Sequence, residues 1–151
     1  MRKHKGLIIT LFAVSITVAA FLACYAAAPG DLAGNWHGFW SAPDGWIYEA
    51  DMALTVDARN NVTGAIQWTL RKSPRPGEQE KIGLGGVEKV KGVFLPECGM
   101  VRMEGISLED PNRVLGLDKY RLILSDDFKV LGGITANHDL WTGQFMLKRK
   151  Q

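Results

Sequence analysis

Glu88 is the charge in this chain best placed to do chemistry. It alternates with Val90, Gly92 and Phe94 along a mostly apolar segment, which puts all four on one face of a strand and that face toward the interior. A carboxylate there must be paired, hydrogen-bonded or neutralised, and it can anchor a ligand's amine or hydroxyl or act as an acid or base. The plainer reading is a strand-end residue near a rim, paired with an arginine or lysine. Aromatic residues share the inward parity: Trp36, Trp40, Tyr48, Trp68, Trp141 and Phe145. They read either as core filling or as the lining of a cavity for a flat, apolar ligand. In the second case Trp40, Tyr48, Trp68, Glu88 and Phe94 are the expected ligand contacts.

Other reactive types do not converge. His37 alternates with Trp36 and so faces outward, while His138 sits in a turn, and no Cys/His cluster accompanies them, so no metal site is expected. No G-x-S-x-G, phosphate loop or H-E-x-x-H is present, and no cofactor is implied. The acid pairs Asp126-Asp127 and Glu109-Asp110 fall in turns, where solvated hairpin chemistry accounts for them. Binding without catalysis is therefore the expectation. A small enzyme using Glu88 as acid or base is the weaker alternative, and two or more convergent titratable groups in a polar pocket would favour it.

A closing sheet would bring these side chains together. Trp36-His37-Gly38-Phe39-Trp40 and Trp141-Thr142-Gly143-Gln144-Phe145 each place two large aromatics four residues apart with glycine midway. Such a pattern at both ends suits first and last strands that meet, with the glycines clearing room for bulky neighbours. Trp36 and Trp141 are the residues of this pattern expected to close the barrel. Alternation and turn residues predict strands at 34–40, 46–57, 62–70, 87–95, 100–108, 117–125, 129–136 and 140–148. No helical period or crossover helix interrupts them. The prediction is all-β: an eight-stranded antiparallel up-and-down barrel, with a β-sandwich as the alternative. Residues 71–85, with two prolines, three glycines and interspersed charges, read as a mobile loop that could serve as a lid.

Residues 1–28 form a separate unit, a signal peptide or an N-terminal membrane anchor read as an apolar leader helix, followed by the barrel domain at 29–151. Arg2, Lys3 and Lys5 make a basic cap, and 25 residues without Asp, Glu, Lys or Arg follow before Asp31. That run exceeds a usual signal core and suffices to cross a bilayer. It fits a retained anchor, cleavage near Ala26 to Ala28, or lipidation at Cys24. Each places the domain in the cell envelope, periplasmic or otherwise outside the cytoplasm. Without the leader, 15 basic residues face 16 acidic ones, so no nucleic-acid partner is expected. Cys98 is then the domain's one cysteine and no internal disulfide can form.

Gly34-Asn35-Trp36 at the first strand and Lys148-Arg149-Lys150 at the last resemble the calycin group, which contains the lipocalins and avidins. G-x-W opens the first barrel strand in those families, and a basic residue at the end packs over its tryptophan, a barrel-closing role that the resemblance implies for Arg149 or Lys148. The resemblance implies a lipocalin/avidin-like barrel and binding inside it. The polar residues that grip biotin in avidins have no counterpart in Phe39-Trp40-Ser41-Ala42, so biotin binding is not carried over. The expected partner is a small apolar or aromatic ligand. The alternative is an envelope protein, with the chain acting as a binding module or hydrolase inhibitor through the barrel rim and the 71–85 loop. An empty interior of roughly several hundred cubic ångströms behind Trp36 and Trp68 would favour the ligand. A filled barrel with an exposed apolar patch would favour the protein partner.

Overall fold

The computed structural model describes residues 26–137 and 140–151. The expected leader helix, Cys24 and the turn expected at His138 lie outside the described residues. Eight strands run in sequence order: β1 (Gly34–Ser41), β2 (Ile47–Val56), β3 (Asn61–Lys72), β4 (Gly85–Leu95), β5 (Met100–Glu109), β6 (Lys119–Leu124), β7 (Val130–Asn137) and β8 (Leu140–Arg149). Every neighbouring pair is antiparallel, and β1 also pairs with β8, so the sheet closes into an up-and-down barrel. Closure excludes the sandwich. The alternation that defined the strands decides their faces: Ala50, Met52 and Leu54 of β2, and Val62, Ile66, Trp68 and Leu70 of β3, are buried inside.

The β1–β8 seam sets Trp36 opposite Arg149, Gly38 opposite Leu147 and Trp40 opposite Phe145. A side chain on Gly38 would run into the Met146 backbone, and one on Gly143 would run into the Trp40 indole and the Thr135 hydroxyl. The two midway glycines thus let a strand and an indole approach closely. Gly143→Ala is expected to cost about 1–3 kcal/mol by overpacking, read as a lowered urea midpoint; an unchanged midpoint would mean the Trp40 wall yields freely.

Trp141 corrects the symmetrical picture. Its ring lies 4.3 Å from the guanidinium carbon of Arg121, a side chain that points outward between the buried Tyr120 and Leu122. The register of β7 against β8 shifts between Thr135 and Asn137, and such an irregularity re-aims the strand beside it. Parity counted from Phe145 therefore fails at Trp141, which takes no part in closing the seam.

One barrel end is plugged by a short helix, α1 (Pro29–Leu32), which was absent from the sequence reading. Leu32 is fully buried, and its carbonyl accepts a 3.1 Å hydrogen bond from Trp36 Nε1. Arg149 lies over the Trp36 ring with its guanidinium carbon 4.3 Å from the centroid. It also donates to the carbonyls of Asp31, Ala33 and Phe128. Phe94 belongs to this end too: its N–H donates to Asn60 O in the β2–β3 turn, and it is buried opposite Val101. Filling this end leaves any binding to the other, where the longer loops gather.

Candidate functional site

At that other end a cavity of about 170 Å³ opens between aromatic walls and the segment joining β5 to β6. Strand alternation delivers the walls: Trp40 from β1, Tyr48 from β2, Trp68 from β3 and Tyr120 from β6. The rings brace one another. Trp40 and Trp68 each meet Tyr48 edge-on, with centroids 5.7 and 6.1 Å apart, and Trp46 stacks on Tyr48 at 6.0 Å. Phe145 supports Trp68 from the core at 5.1 Å. Trp40 Nε1 donates to Thr135 Oγ1 at 2.6 Å, and the Tyr48 hydroxyl donates to Val114 O at 2.5 Å. Rings fixed in this way need little reordering when a ligand arrives.

Glu88 reaches this cavity although only 1% of its surface is exposed. Its Oε2 accepts from Trp68 Nε1 at 3.0 Å and from the Tyr120 hydroxyl at 2.5 Å, and its Oε1 accepts from the Asp118 N–H at 3.2 Å. The rim pairing with arginine or lysine that the plainer reading expected is not what holds it. Gly105 makes room for the carboxylate, since a side chain there would strike Oε1. The β4–β5 register shifts at this point, with Lys89 opposite Ser107 but Val90 opposite Gly105, so Ile106 is an extra residue in β5. Burial pushes the Glu88 carboxyl up to about 7, even though its three donors pull the other way.

Asp118 is a second carboxylate on the cavity wall. Burial raises it to about 6, opposed by hydrogen bonds from Asn137 and Thr135; the Asn137 amide donates to Oδ1 at 3.0 Å. Its charge also raises Glu88. Two acidic groups thus share one aromatic cavity, and among the described residues no lysine or arginine lines it. No group of three or more potential metal ligands occurs among the described residues.

Of the five expected ligand contacts, the structure brings Trp40, Tyr48, Trp68 and Glu88 together, whereas Phe94 sits in the plugged end. Trp36 is not behind the cavity either. Trp46, Val114, Leu115, Asp118, Tyr120 and Asn137 also line the cavity, beyond the contacts expected from the sequence. Tyr120 was within reach, because it alternates with the buried Leu122 and Leu124. The loop residues carried no such periodic signal.

The segment over the mouth also differs from expectation. Residues 71–85 were the expected lid, but Val114, Leu115 and Gly116, between β5 and β6, line the cavity. Their segment is latched at several points: Asp110 Oδ2 accepts from the Leu115 N–H at 2.7 Å, and the Asn112 amide donates to Gly85 O at 3.1 Å. The 71–85 stretch is partly strand, since β3 runs to Lys72 and β4 starts at Gly85. Between them Glu78 accepts from Ser73 and Lys81, and Gly83 and Leu84 exchange backbone hydrogen bonds with Leu70. Arg75 covers Trp46 at 5.3 Å, so this loop supports the lip without lining the cavity.

No family model matches the sequence, and no curated protein matches it. Among solved structures the chain is similar to a redesigned β-barrel, mFAP0, bound to DFHBI. The TM-score is 0.57 at 13% identity, over 79% of this chain and 99% of that one. At that identity the likeness concerns the fold: a closed, eight-stranded antiparallel barrel.

Proposed function

We propose that this chain is an exported, envelope-associated binding protein of calycin-like build, holding a small apolar or aromatic ligand without transforming it. The observation that carries this reading is the aromatic-walled cavity at the loop end of a barrel whose other end is plugged. Its volume is below the roughly 300–1,000 Å³ of drug-sized sites but close to the about 150 Å³ that accommodates a benzene ring. The ligand is accordingly a single ring or a body of that size. The likeness to a barrel solved with a small molecule bound is compatible with this use of the fold.

Catalysis is the weaker reading although two titratable groups converge. Both carboxylates accept hydrogen bonds from the protein itself, Glu88 from Trp68, Tyr120 and the Asp118 N–H and Asp118 from Asn137, which is how a structural or binding carboxylate is held. Export and envelope association rest on the basic cap and the uncharged run of the leader. A protein-binding role through the rim keeps one supporting observation: Ile82, Leu84 and Leu117 are exposed on the loops at the open end.

Titrating single-ring compounds against the domain tests the proposal through tryptophan fluorescence and thermal shift. Saturable quenching is expected, with Trp68→Ala weakening binding by about tenfold or more through loss of a cavity wall. If a diverse panel of such compounds produced neither response, the ligand reading would be abandoned in favour of the rim.

A further inference from the structure

Resting on that reading of the cavity as a ligand site, we propose that its ligand is a compact organic cation, an ammonium borne on one aromatic ring or a body of that size. Three features of the site converge on positive charge. Trp40, Trp46, Tyr48 and Trp68 line the space, and aromatic rings are the side chains that attract cations. Glu88 and Asp118 place two carboxylates on the same wall, and no basic side chain lines it among the described residues. The donors around Glu88 are an indole, a phenol and a backbone amide, all neutral groups that spread a negative charge without cancelling it.

No basic side chain of the described cavity wall pairs with these carboxylates, and a cation would supply that partner. Glu88 uses three of about four carboxylate acceptor positions, which leaves Oε1 able to accept one more hydrogen bond. A neutral ligand of the same shape would gain only the apolar contact. An anion would meet like charge in a half-dry site.

The same arrangement makes binding depend on pH. The side chains that approach Glu88 are Trp68 from β3 and Tyr120 from β6, with Asp118 from the segment before β6; β5 presents Gly105, which has no side chain. Burial pushes the Tyr48 hydroxyl of β2 up to about 12, with Glu78, Asp110 and Asp118 adding to the rise and Arg75 opposing it, and burial raises Tyr120 as well. Among the described residues that line the cavity, only these two carboxylates change charge between mildly acidic and neutral pH. A bound cation favours their ionised forms, so its affinity rises as they deprotonate.

The experiment compares benzylamine, benzyl alcohol and benzoate by calorimetry and tryptophan fluorescence, on the wild type and on Glu88→Gln, between about pH 5 and pH 8. The expected result at neutral pH is benzylamine at least about tenfold tighter than benzyl alcohol, with benzoate weakest. Benzylamine affinity falls on acidification while that of the alcohol stays level. Glu88→Gln costs the amine about tenfold more than it costs the alcohol, and the remaining alcohol binding reports a surviving cavity; Asp118→Asn supplies a second variant if Glu88→Gln does not fold. Benzyl alcohol binding as tightly as benzylamine, or benzoate binding tightest, would overturn the cation preference and leave a ligand site of other chemistry. Absence of binding by all three would remove the site and the preference together.

Discussion

Trp36→Ala is expected to destabilise the barrel by about 3–5 kcal/mol, the range for truncating a fully buried tryptophan. Trp36 has no exposed surface, and its loss would empty the plugged end, free the Leu32 carbonyl and leave Arg149 without the ring it covers. Arg149 links α1, β1, β8 and the β6–β7 turn through its carbonyl contacts, so the damage would spread along the seam. Urea denaturation followed by far-UV circular dichroism measures the effect. Trp141→Ala is the matched control, because Trp141 contributes an outer-face stack on Arg121 worth about 1 kcal/mol or less. Equal losses for the two tryptophans would show that the plugged end is not the anchor of the fold.

The second large effect is a fall in stability as pH rises from about 4.5 to 7. Glu88 titrates near 4.5 when unfolded and at about 7 in the folded chain, so across this window the folded chain binds more protons than the unfolded one. Stability is then fully present below the unfolded value and is lost as pH passes through the folded one. At 1.36 kcal/mol per unit, Glu88 contributes on the order of 3 kcal/mol of this loss. Asp118 adds the same sign over a lower window, from its ordinary 3.8 to about 6. Asp51, Asp57 and Asp127 are shifted downward, chiefly by hydrogen bonds, so their opposite contribution belongs to more acidic pH. Glu88→Gln keeps an acceptor for Tyr120 or Trp68 and removes the charge. Its stability, followed by urea midpoints from about pH 5 to pH 7.5, should lose most of the slope, with the remainder carried by Asp118. An unchanged slope would mean that Glu88 does not titrate in this window.

Most strand boundaries were readable to within one or two residues, because buried apolar residues alternate with exposed, mostly polar ones along most of each strand. The same periodicity placed Glu88 and Trp68 correctly, as both lie on long strands. It failed where pairing is irregular. At the β7–β8 register shift Trp141 turns outward, and the extra residue Ile106 in β5 makes the space that Glu88 occupies. The loop residues of the cavity had no pattern to read. Asp118, Val114 and Leu115 reach the mouth through a chain of specific hydrogen bonds, and nothing in their composition separates them from an ordinary connection.

Local chemistry along the chain pointed to the barrel, its inward faces and a carboxylate on the inner parity, while the pairing of a terminal basic residue with Trp36 came from the resemblance to calycins. The first three follow from nearest-neighbour alternation and from residues at the chain's two ends that a closed sheet must join. Which end is filled and which is open depended on distant segments meeting: α1 under Trp36, and residues 110–118 over Trp40 and Tyr48. The protonation of Glu88 depended on the same assembly. Its carboxyl rises to about 7 because four strands and a loop exclude water around it, and exclusion of water is a property of the closed barrel that no single segment possesses.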